Sequence, residues 1–281
     1  MLFYIQGDIM NVLIYVNKAK DPSGVWLNNF ITILDKESIL YKVVDDNDMN
    51  STMTAQALFV LGGDGTILNV NEFASRNNIP IIGVNAGKLG FLTEFEISEM
   101  DSMVELFKNG KLVKDERATM LCVTEKNNYY TLNDAVIQRI KVEDRGNNVT
   151  SLDITIDDIQ VEKIIGDGVI LSTPTGSTAY SLSANGAILS PGINVFSITP
   201  IAAHSLNQRA FVYSAESLCQ ITVKSDCATG LFIDGIFAEQ LRKGEQIFIK
   251  KANYSTVFLR KEGFNFYKRL AQKLKDRTVD N

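Results

Sequence analysis

Hydrophobic residues in the first hundred positions fall into short unbroken runs, separated by stretches where they recur every three or four residues. Asn11-Val-Leu-Ile-Tyr-Val16 reads as a first buried strand. Asp21-Pro22 predicts a helix start, with the aspartate as cap and the proline at the first helical position, because Leu27, Phe30, Ile31 and Leu34 then share one face. Residues 40–44 are expected as the next strand, and an Asp/Asn-rich stretch over 45–50 leads on to Ala57-Leu-Phe-Val-Leu61. That apolar run is closed by Gly62-Gly63-Asp64-Gly65-Thr66 and followed by apolar residues at 67, 70 and 74, which predicts a buried strand, a tight turn and an amphipathic helix. Residues 79–85 form a further apolar run, with Gly87 and Gly90 after it. Strands that alternate with helices and are apolar on both faces predict an α/β domain with a parallel sheet, whose ligands sit beyond the strand carboxyl ends. The loops after residues 61 and 85 both lie there and are expected to flank one pocket.

Met100, Met103, Val104 and Phe107 make one more helix, stopped by Asn109-Gly110. From Thr119 the texture changes to short runs rich in Val, Ile, Thr and Tyr, punctuated by Asn-Asn, Asp-Asp or Gly. Leu152, Ile154 and Ile156 alternate with Asp153, Thr155 and Asp157, the pattern of a half-buried strand. Residues 114–257 are therefore expected to form a second, mainly β domain, after an α/β domain over 1–113. Within the second domain, residues 176–187 are too rich in Ser, Ala and Gly for a strand and predict a helix entered through a phosphate-friendly turn. Tyr267, Leu270, Ala271 and Leu274 share a face of a last helix, so residues 258–281 are expected to return to the first domain. Residues 1–9, ahead of Met10, read as an extension of little consequence.

Composition narrows the partners. The chain has 281 residues, 45% hydrophobic and 22% charged, as expected of a soluble globular protein of two domains. A net charge of -5 argues against non-specific nucleic-acid binding, and the basic residues of 261–277 are interleaved with acidic and apolar ones. The apolar runs are too short for a bilayer and the amino terminus lacks signal-peptide character, which predicts a cytoplasmic protein with no membrane partner. Cys122, Cys219 and Cys227 lack CxxC spacing and read as thiols rather than disulfides or zinc ligands. His204 is the single histidine, which removes multi-histidine metal sites and leaves little room for a His-based triad.

The candidate chemistry centres on the glycine turn. Glycines at 62, 63 and 65 are expected to reach positive φ and let the backbone approach a phosphate at the helix start. Asp64 stands out there, since a phosphate repels a carboxylate unless it serves a metal, a ribose hydroxyl or a proton transfer. An ordinary Asp-Gly turn is the bland alternative. Residues 83–89 fall one short of a Walker A loop, and Leu68 stands where a dinucleotide fingerprint needs its third glycine. Asn133-Asp134 suits two ribose or amide hydrogen-bonding groups, and equally an Asn-Asp turn. Asp167, framed by Gly166 and Gly168, reads most simply as a turn. Residues 172–183 hold seven serines and threonines in twelve positions, costly to bury unpaired, and predict a partner with many acceptors, such as a dinucleotide.

Taken in order, Gly62-Gly-Asp-Gly-Thr66, Asn85-Ala-Gly-Lys-Leu-Gly-Phe-Leu92, Asn133-Asp134, Gly166-Asp-Gly168, Thr173-Pro-Thr-Gly-Ser-Thr-Ala-Tyr180 and Pro200 through His204-Ser-Leu206 resemble NAD kinases. The likeness runs from about residue 12 to 258. The first string alone is shared with diacylglycerol and sphingosine kinases and, more loosely, with phosphofructokinases; the Thr-Pro-Thr-Gly segment with the Asn-Asp pair narrows it.

The resemblance implies an amino-terminal α/β domain that binds the phosphate donor, a carboxyl-terminal β domain for dinucleotide binding and oligomerisation, and a site between them. The reaction implied is phosphoryl transfer from ATP or polyphosphate to the adenosine ribose 2′-hydroxyl of NAD, giving NADP, with Mg²⁺ or a similar divalent cation. Asp64 is then the base, and Gly62, Gly63, Gly65 and Thr66 form the phosphate turn. Phe91 stacks on adenine, and Asn133 and Asp134 hold the nicotinamide ribose region. Thr175, Thr178, Ala179, Tyr180, Ser183 and Ala202 belong to the dinucleotide pocket, and Asp167 reaches the substrate of a neighbouring subunit in a homodimer or homotetramer. Ile165 and Ile236 depart from the family pattern, so no role passes to them; His204 reads as structural or interfacial. A lipid kinase and a non-catalytic NAD(P) sensor are the competing readings, and donor preference stays open.

Overall fold

The structure is a computed structural model that describes residues 10–85, 87, 90–140, 149–205 and 208–279. Residues 1–9 and Ala86, Lys88, Leu89 and Leu206 of the motifs lie outside them. The chain forms two compact units, one of Met1–Glu116 with Thr256–Asn281 and the other of Arg117–Ser255.

The first unit opens with β1 (Asn11–Val16), α1 (Val25–Lys36), β2 (Leu40–Val44), β3 (Ala57–Gly62), α2 (Asp64–Arg76) and β4 (Ile81–Asn85). The short β5 (Phe95–Glu96) and α3 (Met100–Lys108) follow. β1 pairs in parallel with β2 and β3, and β3 with β4, so the chain builds outward in one direction and then crosses back over β1. This reversal between β1 and β3 leaves a crevice at their carboxyl ends, the usual ligand position of such sheets. Every residue of β3 and β4 is buried, as strands covered on both faces require. Phe59 packs against Phe30 of α1 at 5.0 Å between ring centroids and against Phe107 of α3 at 5.4 Å, each pair contributing about 1 kcal/mol beyond its buried area.

The second unit is antiparallel. Its strands include β6 (Leu112–Val123), which enters from the first unit, then β7 (Asn128–Thr131), β8 (Asp134–Arg139), β9 (Thr150–Ile156), β10 (Ile159–Gly166) and β11 (Gly168–Ser172). After the short α4 (Tyr180–Ser183) come β12 (Val195–Ile201), β13 (Phe211–Ser214), β14 (Cys219–Val223), β15 (Thr229–Ile233) and β16 (Ile236–Leu241). One sheet runs β13-β12-β11-β8-β15-β16; β10-β9-β14 pair onward to β17 (Gln246–Lys261), whose end lies in the first unit. Leu152 and Ile154 of β9 join Ile137, Leu171, Phe196, Ile221 and Ile249 in one core, as their alternation requires. Cys122 and Cys219 are buried and Cys227 is partly buried, and none of the three forms a disulfide.

Four local expectations are corrected. Helix α1 starts after Gly24, which holds φ 67°; Asp21 still caps it, but from four residues before the first helical position, accepting the N–H of Trp26 and Leu27 at 3.2 and 3.0 Å. None of Gly62, Gly63 and Gly65 has positive φ. Residues 176–187 give only a 3-10 turn (Gly176–Thr178) and the four-residue α4, because Ala179 at φ -97°, ψ -124° breaks the helical run. On α5 (Phe266–Val279) the expected apolar face is open, with Tyr267 64% and Leu274 41% exposed. The helix instead turns Phe266 towards Phe91 and Arg269 towards Gly90 and Glu94.

Candidate active site

Strand β3 ends at Gly62, Gly63 is the cap, and Asp64 is already the first residue of α2. The glycines supply room rather than an unusual backbone. A Cβ on Gly62 would run into the Thr66 side chain, while Gly65 faces open space. Thr66 Oγ1 accepts from Gly63 N–H at 3.3 Å and from Asn17 Nδ2 at 3.1 Å, which ties the ends of β3 and β1 together. Lys20 Nζ lies 2.9 Å from where a Cβ of Gly63 would stand, so a cation sits beside the turn. Helical geometry leaves the N–H groups of Asp64 and Gly65 without an acceptor inside α2. A cation and two amides thus surround a place where an anion is favoured.

The Asp64 carboxylate is held by the loop after β4. Its Oδ2 accepts from Phe91 N–H at 2.7 Å, and its Oδ1 accepts from Leu92 and Thr93 N–H at 3.1 and 3.2 Å. The repulsion expected of a carboxylate among phosphates is therefore balanced by three amide dipoles aimed at it. Gly90 has no Cβ because the Asp64 carboxylate occupies that space. Phe91 is partly covered by Phe266, 6.4 Å away between centroids.

Beyond the carboxyl ends of β1 and β2, in the same unit, a cavity of about 340 Å³ is lined by Tyr15, Asn17, Lys18, Leu27, Val43, Asp45, Asp46, Thr66 and Asn69 among others. Burial, and then the hydrogen bond its hydroxyl donates to Asp46, push the Tyr15 phenol up to about 12. The wall therefore carries acceptors and amides beside apolar side chains.

In the second unit a cavity of about 390 Å³ is lined by Asn133, Asp134, Val136, Gln138, Ala179, Tyr180, Phe232, Asp234 and Gly235. Four predicted residues, Asn133, Asp134, Ala179 and Tyr180, meet there. Asp234 and Gly235 form the two-residue hairpin between β15 and β16, at φ 47° and 82°. The Asp234 carboxylate accepts the N–H of Leu132, Asn133 and Asp134 at 3.1, 2.8 and 3.1 Å, and the Thr131 hydroxyl. Those four donors favour its ionised form, although burial pushes it up. Burial, and then the Asp234 charge, push Asp134 up to about 7, so the pair holds its proton on Asp134. The folded chain binds that proton more tightly than the unfolded one, whose carboxyl titrates near the ordinary 3.8. Stability contributed by Asp134 is thus present at low pH and is lost as pH rises from about 4 to about 7, by on the order of 4 kcal/mol at most. Asp134→Asn is expected to gain melting temperature over the parent across that window and hold a constant advantage above it; parallel melting curves from pH 4 to 8 would refute the assignment.

The hydroxyl-rich segment is satisfied by its own chain. Thr173 Oγ1 donates to Leu132 O, Ser177 Oγ to Pro174 O and Thr178 Oγ1 to Thr175 O; Ser181 pairs with Thr199, and Thr175 Oγ1 accepts from Arg117 at 3.4 Å. The expected need for an external partner therefore falls away at Thr175 and Thr178, both buried, whereas Ser183 and Tyr180 remain exposed. Gly176 packs against the Asn133 backbone, which sets the segment beside the Asn-Asp pair. Asp167 and Ala202 do not line this cavity. Asp167 pairs with Arg139 Nε at 2.7 Å, and its N–H donates to Ile201 O, next to Ala202 at φ 44°. His204 is exposed and donates its backbone N–H to Ile165 O.

Sequence reasoning does not single out Lys20, Asn17 or Asp234. Only Asp234-Gly235 carried a local signal, as a hairpin dipeptide between apolar runs. Among the described residues no group of three or more His, Cys, Asp or Glu gathers to hold a metal, and no helix is long and apolar enough to cross a membrane.

The ATP-NAD kinase N-terminal domain family matches residues 17–112, and the ATP-NAD kinase C-terminal domain family matches residues 132–261. The chain is 32% identical over 267 residues to the NAD kinase of Caldicellulosiruptor saccharolyticus, covering 95% of this chain and 100% of that one. With the NAD kinase of Clostridium tetani it shares 35% identity over 272 residues, 93% of this chain and 97% of the other. Among solved structures, yeast NADH kinase complexed with NADH is similar at TM-score 0.82 and 26% identity, over 94% of this chain and 86% of that one. Likeness of this extent spans both the stretch that carries the Asp64 turn and the stretch that carries the Asn133-Asp134 cavity, and by it this chain belongs to the NAD kinase family.

Proposed function

We propose that this protein transfers the γ-phosphoryl group of ATP to the 2′-hydroxyl of the adenosine ribose of NAD, giving NADP and ADP, with Asp64 as the base. The observation that carries this reading is the Asp64 carboxylate, fixed by three loop amides at the carboxyl end of a parallel strand. Oδ1 already accepts two N–H groups and Oδ2 one, so Oδ2 keeps capacity for the substrate hydroxyl. The hydroxyl proton passes to Oδ2 as the new P–O bond forms and the bond to the leaving ADP breaks. Phosphoryl transfer asks mainly for in-line placement and charge neutralisation. The Asp64 and Gly65 amides and Lys20 are the groups placed to supply the latter from the chain. Asp64, in the turn itself, is the carboxylate that would face Mg²⁺ or a similar divalent cation carried by the donor's phosphates, and such a cation would supply further neutralisation of phosphate charge. Asn133, Asp134, Ala179 and Tyr180 are assigned to NAD, with the Asp134 hydroxyl as a donor to it.

ATP is favoured over polyphosphate by the cavity beyond β1 and β2. Asp45 and Asp46 in its wall outnumber Lys18 and disfavour a chain of phosphates, while Asn17, Asn69, Leu27 and Val43 suit a base and ribose. A homo-oligomer in the cytoplasm completes the reading. Ile159, Val161, Leu218 and Ile236 are exposed apolar residues of the second unit, and free thiols suit a reducing compartment. The purified protein, given NAD and Mg²⁺, is expected to form NADP with a kcat/KM at least about tenfold higher for ATP than for polyphosphate, about 1.4 kcal/mol of discrimination. Equal use of both donors would remove the nucleoside from that cavity, and NAD binding without NADP formation would leave a sensor.

A further inference from the structure

We propose that Arg260 and Arg269 are positioning residues for Asp64, acting through the peptide groups between Gly90 and Thr93, so that the carboxyl-terminal helix belongs to the catalytic apparatus. The proposal rests on the reading of Asp64 as the base.

Each peptide group of this loop is planar, with its C=O and the following N–H pointing in opposite directions. The three amides that hold Asp64 belong to the peptides Gly90-Phe91, Phe91-Leu92 and Leu92-Thr93. On the other side the three carbonyls of those same peptides are taken by arginines. Gly90 O accepts from Arg269 at 3.1 Å, Phe91 O from one Arg260 nitrogen at 3.4 Å and Leu92 O from another at 3.2 Å. Three peptide planes are thus bonded at both edges, a carboxylate on one side and guanidinium groups on the other. A cationic donor on a carbonyl also polarises the N–H of the same peptide towards its acceptor.

The guanidinium groups are themselves fixed. Arg260 is fully buried, bonded through Nε to Asp115 at 2.5 Å and through Nη1 to Glu94 at 3.3 Å, and lies 4.2 Å from the Phe264 ring centroid and 5.0 Å from that of Phe258. Arg269, on α5, reaches the same Glu94 oxygen at 3.4 Å. A planar fork held this way presents donors in one geometry, which an ammonium on a flexible stem does not. Stability is a poor reason for such a cluster, since apolar replacement of buried ion pairs is often neutral or favourable. Orientation of the three peptides is a reason that uses all three carbonyl contacts.

Arg269 is the residue to vary, because Arg260 is wholly buried and its loss endangers folding. In the full-length protein, Arg269→Gln is expected to lower kcat for NADP formation about 10- to 100-fold, as a displacement of 1 Å in a reacting group does, with KM for NAD and ATP within about threefold. Arg269→Lys keeps a charged donor for Gly90 O but loses the planar fork that also reaches Glu94, and is expected to give a kcat between those of Arg269→Gln and the parent. In an Asp64→Asn background, Arg269→Gln is expected to cost nothing further, because both changes act on one group. A kcat within about twofold of the parent for folded Arg269→Gln would overturn the proposal, as would equal losses in both backgrounds. Full turnover by Asp64→Asn alone would instead overturn the assignment of the base.

Discussion

Asp64→Asn is expected to abolish measurable NADP formation, with kcat lowered by about 10³-fold or more, at the upper part of the range for a lost general base. The substitution is close to isosteric, and its carbonyl oxygen can still accept the N–H groups of Leu92 and Thr93. The amide nitrogen, however, faces the Phe91 N–H that now donates to Oδ2 at 2.7 Å, and it has no lone pair for that donor or for the ribose hydroxyl. One loop amide is left unpaired, at a stability cost of about 1–3 kcal/mol. NAD affinity, measured by calorimetry, is expected to stay within a few-fold, because the residues assigned to the dinucleotide lie elsewhere in the chain. A loss of affinity as large as the loss of turnover would make Asp64 a binding or structural group rather than the base.

Gly90→Ala is expected to reproduce much of that defect with no chemical group removed. A Cβ at this position falls on the Asp64 carboxylate, and the carboxylate, as the far end of a side chain, is what yields. Moving it breaks its bonds to Phe91, Leu92 and Thr93 and takes the base out of line, for which about 10²-fold in kcat is a fair expectation. The fold is expected to survive, since what a Cβ would meet is the far end of a side chain, which can move, rather than backbone. Steady-state kinetics beside far-UV circular dichroism decide the matter. A folded Gly90→Ala protein with parental kcat would mean that the carboxylate's place in the loop is immaterial to turnover.

Much of the first unit follows from local pattern. Unbroken apolar runs and a spacing of three or four residues suffice for β1, β2, β3, β4, α2 and α3, because burial on both faces or on one stripe dictates those periods. The same is true of β9, whose alternation places Leu152 and Ile154 in the core. Pattern reading goes wrong where side chains act out of register with their own element. Asp21 caps α1 from beyond the helix, Ala179 cuts the Ser/Thr-rich segment into a 3-10 turn and a single helical turn, and α5 is held by Phe266 and Arg269 rather than by Tyr267 and Leu274. The hydroxyl count over residues 172–183 misleads for a related reason: a local tally of donors cannot see that Leu132 O and Thr199 receive them.

By itself the sequence determined the two textures of the chain, the strand-turn-helix at residues 57–76, the presence of a carboxylate in that turn and the family, because these depend on residue type and spacing along a short stretch. Only the tertiary structure decided what surrounds the carboxylates. The amides that hold Asp64 come from 27 to 29 residues away and the arginines behind them from 168 to 179 residues beyond the loop, while Asp234 reaches back 100 to 103 residues to the Asn133-Asp134 turn. No periodicity records contacts at such separations. They arise when parallel strands bring the loops at their ends together and when a hairpin closes over a turn, where burial then pushes the Asp134 carboxyl up and lets it keep its proton.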